Sequence, residues 1–432
     1  MDDYRIKYGI SLFLPMSYKV KDIQLAEQGE LNIRWASDHM PVLGIIKARF
    51  QKEKPLKGFT IAASLHCTKE TAVLIRVLEA GGAKVALAGS NPLTTQDDVV
   101  AALAKTGTNV YTWRGQTKEE YYWCIHKVLD YKPQITIDDG CDLVSTIHSD
   151  RKELLDGVRA GSEETTTGVI RLRAMAESEA LKYPMVAVND TPTKNMFDNR
   201  YGSGQSTIDG IMRATGGMLL AGKNFVMCGY GWCGQGIAKR ANGLGCNVIV
   251  NEVDPVHALE AAMEGYKVMA LEDAAKIGDI FVTSTGCKHV IDKHHMEKMK
   301  SGAVLANSGH FNVEINIPAL EEMSSKKVRI RPDVDEYYTK DVRKLYLLSE
   351  GRLVNLAAAD GSASEVMDMS FANHALVAEW LTKSDLKILV HDVPWNIDHM
   401  IAKLKLESMG AKIDQLTEEQ RKYLTSWQEG TV

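Results

Sequence analysis

No Cys-x-x-Cys pair occurs in this sequence, and its seven cysteines (Cys67, Cys124, Cys141, Cys228, Cys233, Cys246 and Cys287) are an odd number. That scatter excludes a zinc ribbon and a closed disulfide framework, and it fits reduced intracellular thiols. Positive charge is not in surplus: 51 Lys and Arg stand against 56 Asp and Glu, a net charge of −5. No basic field points to nucleic acid or anionic lipid. A long hydrophobic run is missing from the start of the chain too. The longest apolar piece there, residues 10–16, is too short to span a bilayer and lacks a cationic start. Neither a repeat period nor a low-complexity linker appears. The expectation is a soluble, cytoplasmic protein without a metal site. At 432 residues and 45% hydrophobic content, it should hold more than one core.

What is present is a regular alternation of strand and helix. Residues before about Pro55 read as polar-flanked helices, with 33–49 amphipathic around Trp35, Met40, Val42 and Ile45. Strand candidates then follow at 59–64, 84–88, 109–113 and 134–137, separated by helices at 69–80, 97–105 and 119–131. A helix over 163–181 and a strand at 185–188 continue the pattern. Beyond residue 205 come a helix to 215, strands at 224–228, 247–251, 267–270, 279–284 and 303–307, and a strand-rich stretch over 328–354. Helices at 364–381 and 396–423 close the chain. The spacing predicts an α/β protein with two open, doubly wound parallel sheets and a small C-terminal helical segment. The expected division is 1–197, a substrate domain; 198–355, a cofactor domain inserted into it; 356–395, the return to the first domain; and 396–432, the helical segment.

The most informative stretch is 221–254. A strand-length apolar run ends in Gly229-Tyr230-Gly231-Trp232-Cys233-Gly234, a helix opens, a second strand follows, and Glu252 stands at its end. Glycines there permit a tight turn and close approach of backbone to a pyrophosphate at a helix N-terminus. An acid about 20 residues on accepts from both ribose hydroxyls and repels a 2′-phosphate, which favours NAD over NADP. Gly236 is additional and suits close packing.

Ligands collect at the carboxyl ends of strands in open α/β sheets. Just past the strands of the first half stand His66, Asp138-Asp139 and Asn189-Asp190, then Lys194 and Asp198; in the second half Gly309-His310 follows a strand in the same way. Each alone could be structural, and a buried histidine is the plain reading of His310. Glu163-Glu164 suits the acidic first turn of a helix, but Thr165-Thr166-Thr167 suits it poorly, since β-branched residues are mediocre helix formers. Their hydroxyls are better used on a ligand.

Together these segments resemble the S-adenosylhomocysteine hydrolase family. The resemblance rests on Leu65-His66-x-Thr68-x-Glu70-Thr71, Asp138-Asp139-Gly140, Ser162-Glu163-Glu164-Thr165-Thr166-Thr167-Gly168, Lys194-x-x-Phe197-Asp198-Asn199, the glycine loop, Glu252-x-Asp254-Pro255, Gly309-His310-Phe311 and Asn355-Leu356. It runs from about Asp38 onward in family order, and the compact length resembles the archaeal and Thermotoga-type form rather than the longer eukaryotic one. It implies reversible hydrolysis of a nucleoside thioether, S-adenosyl-L-homocysteine, with tightly held NAD recycled in each turnover. The ribose 3′-hydroxyl is oxidised, homocysteine is eliminated, water adds, and the ketone is reduced again. By the resemblance Lys194 and Asp198 serve the 3′-hydroxyl, Lys194 as a base only if its pKa is lowered. Asp139 and His66 serve elimination and water addition with His310 nearby, Glu164 contacts the ribose, and Thr68 and Glu70 contact the purine. Thr165, Thr166, Thr167, Asn199, Gly229, Gly231, Trp232, Cys233, Gly234, Gln235, Gly236, Glu252, Ser308, Gly309, His310 and Asn355 hold NAD. A homo-oligomer, dimer or tetramer, is implied as well.

Four departures from the family pattern stand out. Ser203 replaces a frequent cysteine, His257 an asparagine, and Gly361-Ser362-Ala363-Ser364 a Gly-His-Pro-Ser; the longer form's Lys and Tyr tail has no clear counterpart in Lys422 and Tyr423. Three other readings remain: the S-inosyl thioether as substrate, a catalytically silent NAD-binding regulator, and an ordinary dehydrogenase that releases NADH.

Overall fold

The structure, a computed structural model, describes residues 18–428 and 430; the apolar piece at 10–16 lies outside them. Seven strands come first: β1 (Tyr18–Lys19), β2 (Thr60–Leu65), β3 (Lys84–Gly89), β4 (Asn109–Tyr111), β5 (Ile135–Asp138), β6 (Ala160–Glu163) and β7 (Met185–Ala187). Eight more follow: β8 (Asn224–Cys228), β9 (Asn247–Asn251), β10 (Lys267–Val268), β11 (Ile280–Thr283), β12 (Ala303–Asn307), β13 (Ser324–Arg331), β14 (Val334–Thr339) and β15 (Lys344–Leu348). The last, β16 (Val390–His391), returns to pair with β7.

The first sheet runs β1-β4-β3-β2-β5-β6-β7-β16 and is parallel throughout. The second runs β10-β9-β8-β11-β12-β15-β14-β13, parallel as far as β15 and antiparallel beyond it. Central strands are buried on both faces, as Ile61, Ala62 and Ala63 show, so they read in the sequence as unbroken apolar runs. Strand order reverses between β2 and β5 in one sheet and between β8 and β11 in the other. A crevice opens at each reversal because neighbouring connections leave to opposite faces. The chain's chemistry gathers at these two points.

Helices cover both faces of the first sheet. Ile33, Met40, Leu43, Ile46, Leu74 and Phe371 belong to one core, and Tyr121, Ile125, Leu143 and Ile147 to the core on the other side. The long helix Ser364–Lys383 brings the chain back onto the first sheet after the second is complete. No helix of the described residues is long and apolar enough to cross a membrane.

Three expected elements differ. The amphipathic stretch 33–49 is divided between two helices, Ala26–Asp38 and Pro41–Glu53, and its apolar face is not the expected one. Pro41 forces the residue before it out of the helical region, and Met40 sits at φ −123°, ψ 62°. Trp35 and Ile45, expected on the apolar face, are 62% and 47% exposed. Glu163 ends strand β6 rather than starting a helix, which begins at Thr166 after an extended Thr165. The stretch 396–423 is split into Trp395–Ser408 and Glu418–Thr425.

Candidate active site

The carboxyl ends of the two sheets enclose a cleft of about 950 Å³. His66 and Thr68 reach it from the end of β2, Asp139 from β5, Glu164 to Thr167 from β6, and Lys194, Asp198 and Asn199 from the segment after β7. Gly229, Gly231, Trp232 and Cys233 follow β8, Glu252 follows β9, and Ser308, Gly309 and His310 follow β12; Asn355 lies beside them.

A charged cluster sits in the middle. After β7 the chain makes a π-helical segment, Asn195–Gly202, whose wider turn aims Asp198 and Asn199 at the same point as Lys194. Lys194 Nζ lies 3.0 Å from Asp198 Oδ2 and 3.4 Å from Glu164 Oε1, and donates to Asn199 Oδ1 (2.7 Å) and Asn189 Oδ1 (3.1 Å). Burial opposes the charge, but Glu164 and then Asp198 outweigh it and raise the ammonium above the ordinary lysine range. The condition on which Lys194 could act as a base, a lowered pKa, is not met here: as it stands it is a donor. Glu164 is gripped from its other side by a residue the sequence did not reveal. His374, fully buried on the long helix, places Nε2 2.6 Å from Glu164 Oε2 and Nδ1 2.8 Å from Ser162 Oγ. In the neutral ring Nε2–H then donates to the carboxylate while the serine hydroxyl donates to Nδ1.

Asp139 stands between two histidines. Its Oδ2 is 3.5 Å from His66 Nε2 and its Oδ1 3.5 Å from His310 Nδ1, and the two rings are 5.6 Å apart between centroids. His66 Nδ1 meets the Thr94 hydroxyl at 2.8 Å. Burial pushes the His310 pKa down to about 4, Asp139 opposing it, so the ring is neutral at ordinary pH. These three residues also offer ligand atoms within 4.8 Å of one another, a spacing that a metal ion could use.

Buried carboxylates fasten the loops that carry this cluster. Glu163 accepts from Gly140 N (2.8 Å), Cys141 N (3.1 Å) and Thr165 N (3.1 Å), tying the Asp139 loop to the threonine run. Gly140, at φ +107°, presses on His310, and a side chain there would strike the ring. Asn307 donates to the carbonyls of Gly309, Phe311 and Gly351, and Glu314 accepts from Thr285 and Gly286. Neither Asn307 nor Glu314 was singled out from the sequence.

The fingerprint stretch has the form expected of it. Gly229 turns at φ +99°, and Gly231 has open space where a side chain would stand. The Glu252 carboxylate, at the end of β9, accepts from Tyr230 N at 2.6 Å and Val253 N at 2.6 Å. Asn355 Oδ1 is buried and finds no hydrogen-bond partner among the described residues, an acceptor left for a ligand N–H. This donor and acceptor set fits a dinucleotide with a terminal carboxamide.

Some expected contacts fall elsewhere. Gly234, Gln235 and Gly236 do not line the cleft. Gly234 lies against the Gly229 carbonyl and Gly236 against the Arg200 carbonyl, both too close for any side chain, and the Gln235 amide joins Arg200 to Glu260. Glu70 does not line it either: its carboxylate accepts from Ser364 Oγ at 2.6 Å and pairs with Lys69 at 3.2 Å. Asn199 and Thr166 border the cleft with side chains already bonded, to Lys194 and Asn189. Of the residues that depart from the family pattern, Ser203, His257 and Ser362 all line the cleft.

Comparison with known proteins agrees with this geometry. Residues 17–159 match the family described as S-adenosyl-L-homocysteine hydrolase, and residues 199–361 match its NAD binding domain. The chain is 59% identical over 419 residues to adenosylhomocysteinase of Aquifex aeolicus, covering 96% of this chain and 100% of that one. It is 58% identical over 416 residues to adenosylhomocysteinase of Pyrococcus abyssi (96% and 98%). It is 57% identical over 416 residues to S-inosyl-L-homocysteine hydrolase of Methanocaldococcus jannaschii (96% and 100%). The chain belongs to the S-adenosyl-L-homocysteine hydrolase family and carries its NAD-binding domain.

Proposed function

We propose that this enzyme reversibly hydrolyses S-adenosyl-L-homocysteine to adenosine and L-homocysteine. The observation that carries the reading is the meeting, in one cleft, of the Lys194–Asp198–Glu164 cluster, the Asp139–His66–His310 cluster and the glycine turn. Oxidation at one sugar carbon and elimination at the next need just such a pair of acid–base centres side by side. NAD, held by Gly229, Gly231, Glu252 and Asn355, supplies a reversible hydride acceptor when bound.

The residues divide the work as follows. Asp198 and Glu164 accept from the ribose hydroxyls and draw the proton from the 3′-oxygen. Lys194, already an ammonium, donates to that oxygen and steadies its developing charge. Asp139 takes the proton from the ring carbon beside the ketone. His310 and His66 relay that proton from Asp139 to the departing sulfur, and later a proton from the incoming water back toward Asp139. A nucleoside filling the cleft between the two sheets would keep bulk water from the enone.

A silent regulator would not keep both clusters assembled, and a dehydrogenase would release one NADH per turnover, which a coupled assay would count. A second reading, the S-inosyl thioether, gains from the position of Glu70, since the carboxylate expected to accept from an adenine amino group is held on Ser364. Steady-state kinetics with both thioethers decides: a higher kcat/KM for the inosyl compound overturns the adenosyl reading. We also propose a cytosolic homo-oligomer. In support, Val256, Leu259 and Met263 form an exposed apolar row on the helix Pro255–Met263. Sedimentation of a monomer at micromolar concentration would refute this.

A further inference from the structure

A second cavity, of about 540 Å³, lies beside the cleft, and Ser362 is the one residue among those described that lines both. The partition there is thin. A methyl group on Gly202 would lie 2.6 Å from Ser362 Oγ and 2.8 Å from Asp198 Oδ1, so serine and carboxylate face each other across a bare glycine. On the far side, Trp35 and Met212 form an exposed apolar rim, and Glu70 forms part of the wall.

A sugar held at Asp198 with its 5′ side toward Asp139 would leave Leu65, Met367 and Ser362, which line the same cleft, to flank the base. The edge of a purine farthest from its sugar carries position 6. We propose that the small Ser362 side chain in this partition turns aside and opens the second cavity as a subsite for substituents on that position, so that the enzyme accepts purine nucleosides carrying bulky uncharged groups there. This rests on the reading of the cleft as a purine-nucleoside site. Space is ample, because a cavity of about 150 Å³ already holds a benzene ring. Carboxylated substituents would be disfavoured, because Glu70, Asp209, Asp360 and Glu365 on the cavity wall outnumber Lys69 on that wall and Arg213, which pairs with Asp209 and Asp360.

The test uses the synthetic direction, nucleoside plus homocysteine, followed by loss of free thiol. Adenosine, inosine, N6-benzyladenosine and 6-benzylthioinosine are compared with wild-type enzyme and with Met212→Trp, which fills the second cavity from its far wall and does not line the cleft. The two benzylated compounds present the same substituent with and without an N–H on position 6. Wild type is expected to use at least one of them with kcat/KM within about tenfold of its parent, a loss no larger than one misfitted pocket contact. Met212→Trp should lower that value by at least about tenfold and leave the parent unchanged. Poorer use of both benzylated compounds by wild type, or equal effects of Met212→Trp on parent and derivative, overturns the subsite. Failure of adenosine and inosine alike would instead sink the hydrolase reading, and the subsite with it.

Discussion

Replacing Gly140 by alanine tests whether the pairing of Asp139 with His310 governs the chemistry at the 5′ side of the sugar. A Cβ at position 140 would lie 2.8 Å from His310 Cδ2 and closer still to Nε2. Relaxed contact between such atoms is about 3.5 Å, so ring or loop must give by roughly 1 Å. The loop has little freedom. The Gly140 N–H donates to Glu163, its carbonyl accepts from Arg171, and its φ of +107° strains any L side chain. The imidazole therefore yields, against a loop fastened by Asn307. Misplacing a reacting group by 1 Å costs on the order of 100-fold in rate. Release of homocysteine, followed by thiol detection, should fall by about that factor. Formation of bound NADH on adding adenosine, followed by stopped-flow absorbance, should persist, because the Lys194 cluster is untouched. Near-normal turnover, or loss of both steps together in a protein that melts normally, would refute the reasoning.

Lys194→Ala should fold and keep NAD yet lose turnover by at least about 100-fold, with no NADH absorbance when adenosine is added; a normal absorbance trace would move the 3′-oxygen's partner elsewhere. Asp139→Asn should accumulate bound NADH while homocysteine release stalls, and equal loss of both steps would deny it a separate role. Stability should depend on His310 in a defined pH window. Its folded pKa of about 4 lies below the ordinary value of 6.5, so the folded state binds fewer protons between the two. Stability is thus lost as pH falls from about 6.5 toward 4, and urea midpoints of His310→Gln should lack that part of the slope. Parallel pH profiles for the two proteins would exclude a buried, neutral His310.

Much of the fold was legible because buried parallel strands are short apolar runs with amphipathic helices between them. The helix Lys69–Ala80 and the strands β8, β9 and β12 fall where periodicity put them. Strand β6 hid because Ala160-Gly161-Ser162-Glu163 has no β-branched residue, and an acid before a threonine run imitates a helix start. The glycine turn announced itself through its spacing. The orientation of Glu70 did not: it stands two residues beyond the helix cap Thr68, a rotation of about 200° that carries it away from the cleft. His374 was concealed inside a helix whose neighbours are apolar, and only the fold reveals that one turn after Phe371 it faces Glu164. Asn307 and Glu314 act on backbone, and nothing in a single sequence marks such a role.

The position of His374 bears on how the cofactor is returned to its starting state. Glu164 is shared between an ammonium and an imidazole N–H, and Asp198 is held by the same ammonium. The cluster sets two acidic side chains against one lysine, an excess of one negative charge wherever both acids are ionised, and Cys233 of the glycine turn lies near enough to feel both Lys194 and Asp198. In a buried site such a charge is screened far less than in water. With NAD bound at the glycine turn, it would favour a positively charged, oxidised nicotinamide over the neutral reduced form. That bias opposes the first oxidation slightly and assists the last reduction of the sugar. A hydrolase that must finish each cycle with its cofactor oxidised gains from this bias, whereas a dehydrogenase that discharges NADH would gain from its absence.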